Sequence, residues 1–134
     1  MNHEETVRAM YEAFGRGDID AIIERLAPDV QWDCDRGAND VPWLQPLRGR
    51  NEVPRFFAAL AEHLDLNRFE PKVILGSGDI VLVMFEIEAT ARSTGKAIPE
   101  RRGAHIWQFD AAGRVTSYKN AVDSYGSSAA LRAG

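Results

Sequence analysis

Two short stretches near the start of the chain repeat their apolar residues at helical spacing, while the second half repeats them at a spacing of two. That change of period constrains the fold most, because a helix stripe and a strand face must each be buried, and here against each other. Val7, Met10, Tyr11 and Phe14 fall at i, i+3, i+4 and i+7, and Ile19, Ile22, Ile23 and Leu26 repeat the pattern. Asn2, three places before Glu5, supplies a cap for the first helix, and Gly15 and Gly17 stop it. Asp18 caps the second helix and Pro28 ends it. Both are amphipathic, so both must lie on something apolar.

From Val30 the period becomes two: Val30, Trp32 and Cys34 alternate with Gln31, Asp33 and Asp35, as in a half-buried strand. Residues 36–50 hold two prolines and two glycines and read as an irregular loop. A third helix is expected from about Asn51, with the stripe Val53, Phe56, Phe57, Leu60 and Leu64. Strands are then expected over Phe69–Leu75, Ile80–Arg92, Ile98–Phe109 and Arg114–Ser124, separated by turns at Gly76–Asp79, Ser93–Gly95 and Asp110–Gly113. Four strands joined by short turns make an antiparallel meander, one face of which can take the helices. The expectation is a single α+β domain over residues 1–134, an antiparallel sheet capped by three helices from the N-terminal half.

Composition narrows the function. The chain is 45% hydrophobic and 27% charged, which suits a buried core. Sixteen basic against twenty acidic residues give a net charge of −4, so no nucleic-acid partner is expected. The longest unbroken apolar run, Ile80 to Phe85, falls far short of the roughly 18 residues of a membrane span. His3, Glu4 and Glu5 stand where a secretory leader would be basic and apolar. The lone Cys34 has no internal disulfide partner, so a cytoplasmic setting is expected. His3, His63 and His105 lack ligand spacing, so neither a metal nor a cofactor is expected.

The run Tyr11-Glu12-Ala13-Phe14-Gly15-Arg16-Gly17-Asp18-Ile19-Asp20, followed by Leu26-Ala27-Pro28-Asp29-Val30-Gln31-Trp32, resembles the opening of SnoaL-like and ketosteroid-isomerase-like proteins of the nuclear transport factor two-like superfamily. His105-Ile106-Trp107, Asp110 to Val115 and Asp123 resemble their closing hairpin. The resemblance implies a cone-shaped α+β barrel, or cystatin-like roll: a curved sheet enclosing one deep apolar pocket. It also implies a homodimer through the outer sheet face. Relatives include isomerases, polyketide cyclases, epoxide hydrolases and silent binding modules, so fold alone does not settle function.

Strand parity gives an independent view of the pocket. If Trp107 and Phe109 point inward, so does His105; Trp32 shares a face with Cys34, Phe85 with Ile87, and Tyr118 with Asn120. With Tyr11 and Phe14 from the first helix these form an aromatic and aliphatic wall, broken by His105 and Asn120. His105 is the leading candidate for acid or base; the plainer reading is a neutral, hydrogen-bonded core histidine. By resemblance, the isomerases' oxyanion tyrosine falls on or beside Met10, with Tyr11 about 100° round the helix, and their base aspartate falls on Cys34. Parity turns Asp33 and Asp35 outward unless a bulge intervenes. The epoxide-hydrolase triad falls on Phe85, Ile87 and Asn120, and the cyclase aspartate at or beside Asn120. Two hypotheses follow: a proton-transferring enzyme for a hydrophobic, aromatic or polycyclic substrate, with His105 and Asn120 in its catalytic site; or a ligand-binding module without chemistry.

Overall fold

Asn2 caps the first helix as expected, its Oδ1 accepting the Glu5 amide at 2.8 Å. The computed structural model describes residues 2–133. Helix α1 (His3–Gly15) leads to α2 (Ile19–Ile23), whose cap Asp18 accepts the Ala21 amide. Then follow β1 (Leu26–Trp32), a single 3₁₀ turn at Pro42–Leu44, β2 (Leu47–Arg48) and α3 (Pro54–His63). The meander is β3 (Leu64–Ser77), β4 (Ile80–Ala91), β5 (Arg102–Phe109) and β6 (Val115–Ala121), and α4 (Ser124–Leu131) follows it.

Two expectations need correction. The sheet, ordered β2-β1-β6-β5-β4-β3, is mixed rather than antiparallel: β1 lies parallel to β6, with Trp32 opposite Tyr118. Only the meander has turns to announce its pairing; the β1–β6 pair joins distant parts of the chain. The helices among the described residues number four, not three. Asp123 accepts the Tyr125 amide and starts α4 where the last strand was expected to run on to Ser124.

Register shifts in β3 between Leu66 and Arg68 and between Pro71 and Val73, with another where β5 meets β6, bend the sheet. Pro71 is tolerated because β3 is an edge strand. The concave face carries Val81, Val83 and Phe85 of β4 and His105, Trp107 and Phe109 of β5, all buried. Helices α1 and α2 lay Val7, Met10 and Ile22 on it. A second cluster gathers Val41, Trp43 and Leu44 of the long loop with Leu64, Ala89 and Ala130, so α4 closes the other end.

Gly103 sets how closely β5 approaches its neighbours. A Cβ there would lie 2.5 Å from Phe85 Cζ and 2.8 Å from Val122 Cγ1. Gly103→Ala is therefore expected to cost about 1–3 kcal/mol through forced repacking of Phe85. A urea melt reads the loss; an unchanged midpoint would show that the ring has room to yield.

Candidate functional site

The concave face, α1, α3 and α4 enclose a cavity of about 120 Å³. That is on the scale of an apolar cavity of about 150 Å³ that takes up one benzene. Tyr11, Phe14, Trp32, Phe85, Ile87, Trp107 and Tyr118 line it, together with His105 and Asn120. Trp32 stacks on Tyr118 with ring centroids 3.9 Å apart, and His105 packs against Phe85 at 4.4 Å.

Cys34 is the exception. Its Sγ lies 3.1 Å from the Leu47 carbonyl and 3.8 Å from that of Trp32, beside β2 and away from the cavity lining. The strand ends at Trp32, and Asp33 adopts a left-handed φ of 58°, which breaks the alternation that would have kept Cys34 on the face of Trp32. The same kink turns Asp33 inward, against the outward orientation expected from parity. It is 2% exposed, and its carboxylate accepts from Arg36 Nε at 2.9 Å and from the Asn120 amide at 3.3 Å. Arg36 Nη2 also donates to the Asn120 carbonyl.

Tyr11, one residue along from the expected tyrosine position, nonetheless reaches inside. Its hydroxyl lies 2.5 Å from His105 Nδ1 and accepts from Trp107 Nε1 at 3.1 Å. The indole nitrogen can only donate; in the His105 tautomer that carries its proton on Nε2 the Tyr11 hydrogen goes to Nδ1, and in the other tautomer Nδ1–H donates to the hydroxyl. No hydrogen-bond partner meets Nε2 among the described residues. Burial lowers the His105 pKa from 6.5 to about 3, so the ring is neutral at physiological pH. Burial likewise raises the tyrosine pKa values of Tyr11 and Tyr118. Among the described residues, two buried side-chain atoms of lining residues have no partner: Trp32 Nε1 and Asn120 Oδ1.

Several lining residues escaped the sequence reading as site residues. Phe56, Phe57 and Leu60 carried a signal, the apolar stripe of α3; Phe69 sits opposite Ile87 across β3 and β4. Trp43 makes the long loop a wall of the cavity. Glu100, Arg102 and Asp123 are its charged members, and the exposure of Arg102 and Asp123 puts them at the rim. Arg101 instead pairs with Glu88 on the surface. Among the described residues no three His, Cys, Asp or Glu side chains cluster as metal ligands, and no helix is long and apolar enough to cross a membrane.

The family model of the SnoaL-like domain matches residues 7–118. Over 87 residues the chain is 29% identical to the ECF RNA polymerase sigma factor SigJ of Mycobacterium tuberculosis; this covers 65% of the chain and 26% of that factor, about a quarter of the relative's length. An NTF2-like protein from Burkholderia thailandensis matches with a TM-score of 0.83 at 27% identity, covering 98% of each chain. The structure of TerC co-crystallised with polyporic acid matches with a TM-score of 0.75 over 96% of this chain and 97% of that one; at 21% identity this is a likeness of fold.

The neutral histidine has a measurable consequence. The unfolded chain takes up a proton near pH 6.5 that the folded chain refuses until about pH 3. Stability is therefore expected to be level above pH 6.5 and to fall as pH drops below it, by up to about 1.4 kcal/mol per pH unit from this residue. His105→Phe should remove that part of the slope in urea titrations between pH 4 and 7.5. Parallel slopes for the two proteins would mean that His105 protonates freely in the folded state.

Proposed function

The chain belongs to the SnoaL-like domain family, and on that footing we propose that it acts on a small, planar, hydrophobic molecule held in the cone, by proton transfer of isomerase or cyclase type. One observation carries this reading. A buried neutral imidazole, engaged at Nδ1 by Tyr11, turns its Nε2 edge to a chamber of aromatic and aliphatic side chains, and in the tautomer protonated there it presents an N–H. Such a group works as a neutral donor: it hydrogen-bonds to a substrate oxygen and stabilises negative charge that develops there. Tyr11 shares its hydrogen with Nδ1 as Nε2 shares its own, so charge is spread without a full imidazolate. Asn120, opposite His105 on β6, orients the substrate. The carboxylates of the lining, Glu100 and Asp123, supply a base for a substrate that extends toward the rim; Asp123 lies three residues past Asn120, roughly 10 Å along an extended chain.

The second reading, a binding module without chemistry, is favoured by a different observation. The positions that, by resemblance, carry the isomerase base aspartate and the arginine and two aspartates of the epoxide hydrolases are here Cys34, and Phe85, Ile87 and Asn120. Deuterium exchange next to the carbonyl of single-ring aryl ketones, followed by NMR, separates the two. The enzyme reading expects exchange above background, reduced about 10²-fold or more in His105→Phe. Binding without exchange selects the module, and undiminished exchange in the variant removes His105 from the mechanism.

A homodimer through the outer sheet face belongs to the same proposal, as does a cytoplasmic setting compatible with the free thiol of Cys34. Leu75, Leu82 and Met84 stand 62%, 46% and 56% exposed on that face, with Val73 and Ile80 beside them. An apolar stripe of this kind suits burial against a second copy. Leu82→Lys with Met84→Lys is expected to give a folded monomer by sedimentation at micromolar concentration, where the unaltered chain sediments as a dimer. A monomeric unaltered chain would exclude this interface.

A further inference from the structure

We propose that Tyr118 is a specificity-determining residue of the cavity. Its hydroxyl donates to an acceptor oxygen of a neutral ligand, so a ring that carries one is preferred to the matching hydrocarbon. This rests on the reading of the cavity as a ligand site and adds the residue that selects within it.

The chain has three tyrosines, and their hydroxyls stand in three different states. Tyr125 is 74% exposed, so water serves its hydroxyl. The Tyr11 hydroxyl is occupied twice, by His105 Nδ1 and by Trp107 Nε1. Tyr118 is 2% exposed and lines the cavity, yet its hydroxyl meets no hydrogen-bond partner among the described residues. A buried tyrosine hydroxyl nearly always finds one, so the partner here has to come from outside the chain. Trp32 Nε1 and Asn120 Oδ1 also lack a partner, but both are sealed inside the wall. The Tyr118 hydroxyl is not among the sealed atoms, and with its ring at the cavity wall the surface it keeps belongs to the cavity.

The ring is held firmly. It stacks on Trp32 at 3.9 Å and lies 4.8 Å from Trp107 and 5.1 Å from His105. The Tyr118 carbonyl accepts from the Asp33 amide at 2.7 Å, so the backbone is tied as well. Burial raises the Tyr118 pKa, and the hydroxyl therefore keeps its hydrogen at neutral pH. It can donate whichever tautomer His105 adopts. Asn120, two residues along the same face, has its Oδ1 sealed, so the end that can reach the cavity is its NH2 group. Both open groups on β6 are donors, and the ligand feature that satisfies either is an acceptor. A hydrocarbon of the same shape leaves them unpaired, which is the basis on which a site rejects an analogue lacking the polar atom.

Acetophenone and ethylbenzene are the probes, titrated calorimetrically into the full chain at pH 7. They share ring and length and differ in the acceptor oxygen. The unaltered chain is expected to bind acetophenone about tenfold or more tightly. Tyr118→Phe, which keeps the ring and its stacking, is expected to weaken acetophenone about tenfold and ethylbenzene by no more than about twofold. Equal loss for the two probes, or none for acetophenone, would overturn the proposal and leave the cavity as a ligand site; so would equal affinities in the unaltered chain, the result for a hydroxyl that only holds water. Binding of neither probe would remove the ligand-site reading and this proposal together. Should Tyr118→Phe not fold, the unaltered chain labelled with ¹³C at the tyrosine Cζ decides, its signals assigned with Tyr11→Phe and Tyr125→Phe. The Tyr118 signal is expected to move further with saturating acetophenone than with ethylbenzene, and equal movement would overturn the proposal.

Discussion

The hydrogen bond between the Tyr11 hydroxyl and His105 Nδ1 ties helix α1 to the concave face of β5, and the chemistry of the cavity depends on it. Trp107 Nε1 completes the set by donating to the same hydroxyl. The indole must donate, and with the imidazole proton on Nε2 the phenol passes its own hydrogen to Nδ1, so that all three groups are paired. In a low-dielectric interior such a chain is worth more than its separate bonds, and removing one member orphans the next. Packing supports it, since Tyr11 meets Trp107 edge-on at 6.1 Å and lies nearly parallel to the His105 ring. The free end of this chain is the Nε2 edge of His105, held in a fixed orientation at the cavity wall.

A second device acts from the other side of the sheet. Beyond Trp32, β1 no longer runs beside β6: Asp33 turns into the left-handed region after its own N–H has bonded the Tyr118 carbonyl at 2.7 Å. Asn120 thereby loses the strand that would have paired with its backbone. The Asp33 carboxylate and the Arg36 guanidinium take that strand's place, one accepting and one donating. Their ion pair is almost wholly buried, so removing one partner would leave an uncompensated charge behind Asn120 and Tyr118, a costly defect. Side chains doing the work of a missing strand explain why the backbone of Asn120 is so firmly held while its carboxamide is left without a partner.

How far the sequence carried the reader differs from element to element. Period-two parity placed His105, Trp107, Phe85, Tyr118 and Asn120 on the inner face, because β4, β5 and β6 keep their alternation there. The same rule failed one residue past Trp32, where a single positive φ moved Asp33 inward and Cys34 out. Aspartate tolerates that conformation, and nothing in the local pattern announces it. The parallel pairing of β1 with β6 was illegible for a different reason: it is a long-range contact with no connecting turn to read. Helix α4 was missed because Ser124-Tyr125-Gly126-Ser127-Ser128-Ala129-Ala130-Leu131 carries only a weak apolar stripe. Its small residues let it pack closely, and a Cβ on Gly126 would meet Asp123 Oδ2 at 3.1 Å. Tyr11 is the instructive case. A register argument set it about 100° away from the expected position, yet a long side chain ending in a hydroxyl covers that offset.

The distribution of charge bears on what the cavity can stabilise. Burial raises the pKa values of Tyr11 and Tyr118 and lowers that of His105, so all three are held in their neutral forms. Asp33, the buried carboxylate nearby, is matched by Arg36 and stays off the cavity lining, while Arg102 and Asp123 lie at the exposed rim. An interior arranged in this way gives little to an ion and much to a neutral polar group that completes its hydrogen bonds. At this wall a group placed to meet a polar ligand is the neutral side chain of His105, while the Arg102 cation stays at the rim. Hydrogen bonds from neutral groups stabilise partial charge and do little for a full ion, which is the condition the proposed proton transfer has to meet.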